Sequence, residues 1–95
     1  MAFYLLQASY TADAIKALVA SPQDREADVR AITEALGGTL HQVFFAFGES
    51  DIVVIMEVSD NKTMAAGSFV ASATGAFSKV HTTQLLTTAE AMEAM

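Results

Sequence analysis

Residues 40–58 constrain this chain more than any other stretch. They read Leu-His-Gln-Val-Phe-Phe-Ala-Phe-Gly-Glu-Ser-Asp-Ile-Val-Val-Ile-Met-Glu-Val. Two strand-like runs flank Gly48-Glu49-Ser50-Asp51, and the second run is apolar on both of its faces. Successive side chains of a strand point to opposite sides, so a strand with two apolar faces must be covered twice. A chain of 95 residues has helices enough to cover one face of a sheet. The other face is therefore expected to meet another subunit.

Composition agrees with a buried interface. Hydrophobic residues make up 53% of the chain and charged residues 17%, a surface poor in charge for a freely soluble monomer. The formal net charge of −6 and five scattered basic residues, Lys16, Arg25, Arg30, Lys62 and Lys79, argue against nucleic acid, because phosphate contacts need clustered cations. No apolar run reaches the roughly 18–20 residues of a membrane span. The N-terminus has no basic segment followed by an apolar core and cleavage site. The chain has no cysteine, which removes disulfides, thiolate nucleophiles and thiolate metal sites together. The expected compartment is the cytoplasm, with no cofactor implied.

Along the chain, Phe3 to Ser9 reads as a strand. Thr11 or Asp13 starts a helix to about Ala20, with Ile15, Leu18 and Val19 as its apolar side. Pro22 interrupts it. Ser21 suits an N-cap, Pro22 the first helical position and Asp24 the positive end of a dipole. The next helix carries Val29, Ile32 and Leu36 at helical spacing, and Gly37-Gly38 ends it. After the strand pair, Ser59 or Asp60 caps a small-residue helix to about Thr74, with Met64, Phe69 and Val70 as its few large apolar groups. Gly75 stops it, and Phe77 to Leu86 is the last strand. Thr87 and Glu90 have capping-box spacing before a short terminal helix.

The order is β-α-β-β-α-β over a single domain, residues 1–95. Right-handed crossovers place both helices on one face of a four-stranded antiparallel sheet, an α+β, ferredoxin-like arrangement. With Gly48 to Asp51 as the turn, Phe47 pairs with Ile52, Phe45 with Val54 and Val43 with Met56. These six, with Tyr4, Leu6 and Ala8, are expected on the helix face. The open face then carries Phe3, Leu5, Gln7, Ser9, Gln42, Phe44, Ala46, Val53, Ile55 and Glu57. Its apolar band is too large to leave wet on a monomer. Two such sheets packed face to face would hide it.

Several motifs together form a wider pattern. They are Ser21-Pro22 between the helical pieces, Leu36-Gly37-Gly38 before the second strand, Gly48-Glu49-Ser50-Asp51 with Ile52-Val53-Val54-Ile55 after it, and Thr82 and Leu85 in the last strand. On these residues nearly the whole chain resembles the GYD-domain family of the dimeric α/β-barrel superfamily. That family usually has Tyr between the Gly and the Asp, where this chain has Ser50. The resemblance implies the barrel fold and a homodimer or larger homo-oligomer. The family is similar to barrels that include haem enzymes and quinone-forming monooxygenases.

Few residues can carry chemistry. His41 and His81 are the only histidines, and no His-x-x-x-His spacing signals a metal. His41 reads as a half-exposed edge residue. His81 lies inside the last strand with Thr83 and Leu85, and on the open face it could approach Glu57 or Gln7. Glu57 is the one acid inside an apolar strand. A shielded carboxylate can serve as a general base, or it can pair with Gln42 and reach water. Asp51 is expected to close the turn by accepting backbone N–H bonds and Gly48 to supply a positive φ.

Three functions remain open at this point. The first is a homo-oligomer holding a small, largely apolar molecule near the sheet interface. Its wall would be Phe3, Phe44 and Ile55, and its polar anchors Gln7, Gln42, Glu57 and His81. The second is a cofactor-independent oxygenase or isomerase with His81 or Glu57 as base. The third is a structural or regulatory assembly module without ligand. Fold analogy does not choose among them.

Overall fold

The computed structural model describes all 95 residues. β1 (Ala2–Tyr10) leads to α1 (Ala12–Ala20) and α2 (Arg25–Ala35), then β2 (Thr39–Phe45), β3 (Ile52–Val58), α3 (Asn61–Ala73), β4 (Phe77–Leu85) and α4 (Thr88–Ala94). The strands form one antiparallel sheet in the order β2-β3-β1-β4. This is the expected α+β ferredoxin-like arrangement. The smallest dimension is 19 Å, room for the sheet and one layer of helices of about 10–12 Å diameter.

Local chemistry sets the helix boundaries. Thr11 Oγ1 accepts from the Ala14 N–H at 3.2 Å to start α1. Pro22 breaks the helix, since it offers no N–H and its ring clashes with the preceding turn. The break spans Ser21 to Asp24. Ser21 ends α1, and Asp24 caps α2 by accepting from the Glu26 N–H at 3.0 Å. The cap thus sits three residues beyond the Ser21 expectation, where a carboxylate meets the helix dipole. Asp60 caps α3, accepting from the Thr63 N–H and hydroxyl, each at 2.8 Å. Those bonds hold its carboxyl below the ordinary value of 3.8. Thr87 and Glu90 form the reciprocal capping box of α4.

The core lies on one side of the sheet. Tyr4, Leu6 and Ala8 of β1, Leu40 of β2, Ile52, Val54, Met56 and Val58 of β3, and Met64 of α3 form the buried cluster. From α2 the most buried side chain is Thr33, whose hydroxyl returns to the Val29 carbonyl at 2.7 Å. That bond lets a polar side chain enter the core without an unsatisfied group. From α3 the inward stripe is Met64 and Gly67, while Phe69 and Val70 are exposed. Val19 of α1 is likewise exposed. In α3 the inner stripe takes a glycine because the helix lies close to Leu36 there: a Cβ at Gly67 would come 2.8 Å from Leu36 Cδ1.

The β2–β3 register differs from the expectation by two residues. Phe45 pairs with Ile52 and Val43 with Val54. The connection is the longer segment Ala46 to Asp51, closed by a bond from the Ala46 N–H to the Asp51 carbonyl at 2.8 Å. Phe47 therefore leaves the sheet and is fully exposed. Gly48 does not take a positive φ; only Gly37 and Gly75 do, each at 75°. Six residues spread the reversal so that none is forced into the left-handed region. Asp51 does accept a backbone N–H as expected, but from Tyr10 of β1 at 2.9 Å. Its own N–H reaches the Ala8 carbonyl at 2.9 Å, and Ser9 Oγ donates to the Glu49 carbonyl at 3.0 Å. The loop is thus fastened along β1. A second irregularity lies at His41, where the pairing skips one residue between Leu40 and Gln42. This bulge turns Leu40 into the core and leaves His41 on the open face.

Gly38 joins the end of α2 to the sheet. A Cβ there would lie 2.5 Å from the Glu57 carbonyl oxygen and 2.7 Å from Val58 Cγ1. Gly38→Ala should therefore destabilise the fold by about 1–3 kcal/mol, the usual cost of overpacking. Chemical denaturation measures it, with Gly48→Ala, whose Cβ meets nothing within 4 Å, as the near-neutral control.

Candidate functional site

The sheet registers arrange the open face in four rows, each running across the strands from β2 to β4. The first holds Thr39, Glu57, Phe3 and Leu85; the second Gln42, Ile55, Leu5 and Thr83; the third Phe44, Val53, Gln7 and His81. The fourth pairs Ser9 with Lys79, beside the loop segment at Glu49. No helix covers these side chains. Phe44 is 58% exposed, and Phe3, Leu5, Val53, Ile55 and Leu85 are only half-buried.

The residues expected to act together fall into two groups. At one end Glu57 Oε1 meets His41 Nε2 at 2.9 Å. The His41 ring lies against Phe3, with centroids 5.2 Å apart and a 33° tilt. At the other end a cleft of about 360 Å³ is lined by Gln7, Ala46, Gly48, Glu49, Ser50, Val53, Lys79 and His81. His81 and Glu57 are two rows apart, about 13 Å along the strands at the rise of a β-residue. The structure does not bring them together. Ile55 and Gln42 lie in the row between, next to Glu57, and Phe44 shares the row of His81.

The sequence reading missed Lys79, Glu49 and Ser50 as cleft residues. For Lys79 the signal was present, since it alternates with His81 along β4. For Glu49 and Ser50 it was absent, because the loop's attachment to Ser9 and Tyr10 is tertiary. His41 is the half-exposed edge residue expected, on the edge strand β2, and the bulge also delivers it to Glu57. No three His, Asp or Glu side chains gather in a way that could hold a metal ion.

The two walls of the cleft have opposite charge. Glu49 lies on the loop side of β1 and Lys79 on the β4 side. Neither takes part in an ion pair: the three pairs of the chain are Arg25–Asp28, Arg30–Glu26 and His41–Glu57. On the other side of the sheet, burial raises the pKa of Tyr10, which stacks on Phe77 with ring centroids 5.0 Å apart. Burial likewise raises that of Tyr4, whose hydroxyl donates to Asn61 Oδ1. Both act as anchors beneath the helices rather than as open-face chemistry.

The model of the GYD domain matches residues 4–95. The chain belongs to the GYD-domain family. Among solved structures, the crystal structure of MtbAldR is similar, with a TM-score of 0.60 at 11% identity, covering 90% of this chain and 52% of that one. At that identity the likeness is one of fold, and this chain spans about half the length of that protein. No curated protein matches the chain. No helix is long and apolar enough to cross a membrane.

In this GYD domain the Gly-Glu-Ser-Asp segment has two jobs. Asp51 fastens the loop to β1, while Gly48, Glu49 and Ser50 line the cleft. Ser50, at the position where the family pattern usually has Tyr, lines the cleft.

The separation of the two ends has a direct spectroscopic consequence. Glu57→Gln should shift the His41 imidazole resonances and leave those of His81 in place, as two-dimensional NMR of the histidine rings would read. Movement of His81 alone would contradict the registers given above.

Proposed function

We propose that this GYD domain is a homodimeric binding module for a small, largely apolar molecule. The observation that carries the reading is the uncovered sheet face, whose centre carries Leu5, Val53 and Ile55 and whose end forms a polar cleft. The apolar body of a ligand would rest on Val53 and its neighbours Leu5, Phe44 and Ile55. Its polar end would meet Gln7, Ser50 and His81. An apolar surface with a few converging polar groups is the usual form of a small-molecule site. The second copy would supply the cover that the chain's own helices do not: α2 and α3 pack on the other face, and α4 has no buried residue. An isomerase or oxygenase reading would need only His81 or Glu57 as base; Glu57 is bonded to His41, and the apolar surface beside the cleft supports binding.

Two variants test the parts separately. Ile55→Lys should convert the dimer to a folded monomer or to aggregate, since a buried unpaired charge costs roughly several kcal/mol. Sedimentation of wild type as a folded monomer at micromolar concentration would overturn the dimer.

Ser50→Tyr should keep the dimer but fill the cleft. Native mass spectrometry of protein from its source organism should show a retained small molecule in the wild type and its loss in this variant. A wild-type dimer without any retained molecule would overturn the binding reading and leave an assembly module.

A further inference from the structure

We infer that the space between α2, α3 and the sheet is a binding site of its own, and that its guest is a small hydrocarbon. A cavity of about 110 Å³ lies there, on the opposite side of the sheet from the cleft. Its floor is Leu6 of β1 with Ile52, Val54 and Met56 of β3, all buried. Ten of its thirteen lining residues are hydrophobic, so the other three decide what it can hold. They are Thr33, Gly67 and Thr74. The site depends on neither the dimer nor the ligand proposed for the open face.

Gly67 of α3 lies against Leu36 of α2 at one end of the cavity. One turn further along α3, Ala71 offers only a methyl group, and the mouth opens where Ile32 and Thr74 are exposed. The polar atoms of the lining are already committed. Thr33 Oγ1 donates to the Val29 carbonyl at 2.7 Å. Thr74 Oγ1 donates to the Ala71 carbonyl at 2.7 Å and accepts from the Ala76 N–H at 3.2 Å. Both hydroxyl protons are therefore spent within the chain, and only acceptor lone pairs remain. An anion finds no donor there, and any charged guest would shed its hydration for too little in return. A hydrocarbon leaves water favourably. It also gives the walls dispersion contacts that they lack on the cavity side. Volume sets the size of the guest: apolar cavities of roughly 150 Å³ admit benzene or xenon, so a single ring or a short alkyl chain is the upper limit here.

Benzene tests the site, read by methyl NMR of the wild-type chain. Saturable shifts are expected at the methyl groups of Leu36, Ile52 and Val54, with nuclear Overhauser contacts from benzene protons to the same groups. Val53 and Ile55, on the other side of the sheet, report the open face separately. Benzoate carries the same ring with an added anion, and it should leave the Ile52 and Val54 methyls in place. Ala71→Leu should weaken benzene binding about tenfold or more, because the larger side chain takes the space of the guest in a close-packed interior. Circular dichroism checks that this variant is folded, and the Overhauser contacts need no variant. Benzene shifts at Val53 and Ile55 without any at Ile52 and Val54 would overturn the cavity as the site. So would a benzoate response at Ile52 and Val54 equal to that of benzene, or no saturable shift in benzene-saturated buffer. The oligomeric state, read by sedimentation, is independent of all these outcomes.

Discussion

β3 presents Ile52, Val54, Met56 and Val58 to the helices and Val53 and Ile55 to the opposite side, and both sets have to be kept from water. The first set is dry within the chain: Val54 is 1% and Val58 0% exposed. It is the floor on which α2 and α3 rest. The second set has no cover of its own. Every helix long enough to span a sheet is already committed to the first side, and α4, with no buried residue, adds nothing over the open rows. The need to hide two faces with one helical layer is the physical basis for the assembly proposed at the open face.

The charged residues of that face are kept at its ends. Glu57 and His41 satisfy each other at one end, and the loop carrying Glu49 and Ser50 is tied down at the other. The tie is structural: Asp51 spends its carboxylate on the Tyr10 N–H, at the point where β1 shifts register against β4. One acid thus satisfies a backbone group that an irregular ladder would leave bare, and in doing so it holds the cleft wall in place. An apolar centre with charge confined to the ends would let the face meet a copy of itself, as proposed, without burying unpaired charge.

Much of this was legible in the chain. Alternation assigned Tyr4, Leu6 and Ala8 to the core and Phe3, Leu5 and Gln7 to the open face, and the structure agrees residue by residue. It agrees because strand parity is local: each side chain's face follows from its neighbour's. The same parity hid the register. A slide of two residues leaves every face unchanged, so Phe45 against Val54 and Phe45 against Ile52 look alike in the sequence. The choice was made by hydrogen bonds from Asp51 and Glu49 to β1, forty residues away. The bulge at His41 was hidden for a related reason, since it takes Leu40 out of phase only where β2 meets Met56. In the helices, large residues were the readable signal, yet Thr33 and Gly67 face inward because close approach of α2 and α3 to the sheet and to each other favours small or self-satisfied side chains.

The sequence by itself determined the element order, the helix break at Pro22, the two-sided character of β3 and, from these, an α+β sheet with one face bare. These follow from periodicity, caps and breakers, all of which act over a few residues. Only the tertiary structure decided which polar groups meet: His41 with Glu57, and Gln7, Ser50, Lys79 and His81 around one cleft. Alternation marked Lys79 and His81 as sharing a face, but the encounters depend on strand register and on a loop folded onto a distant strand, which leave no local trace.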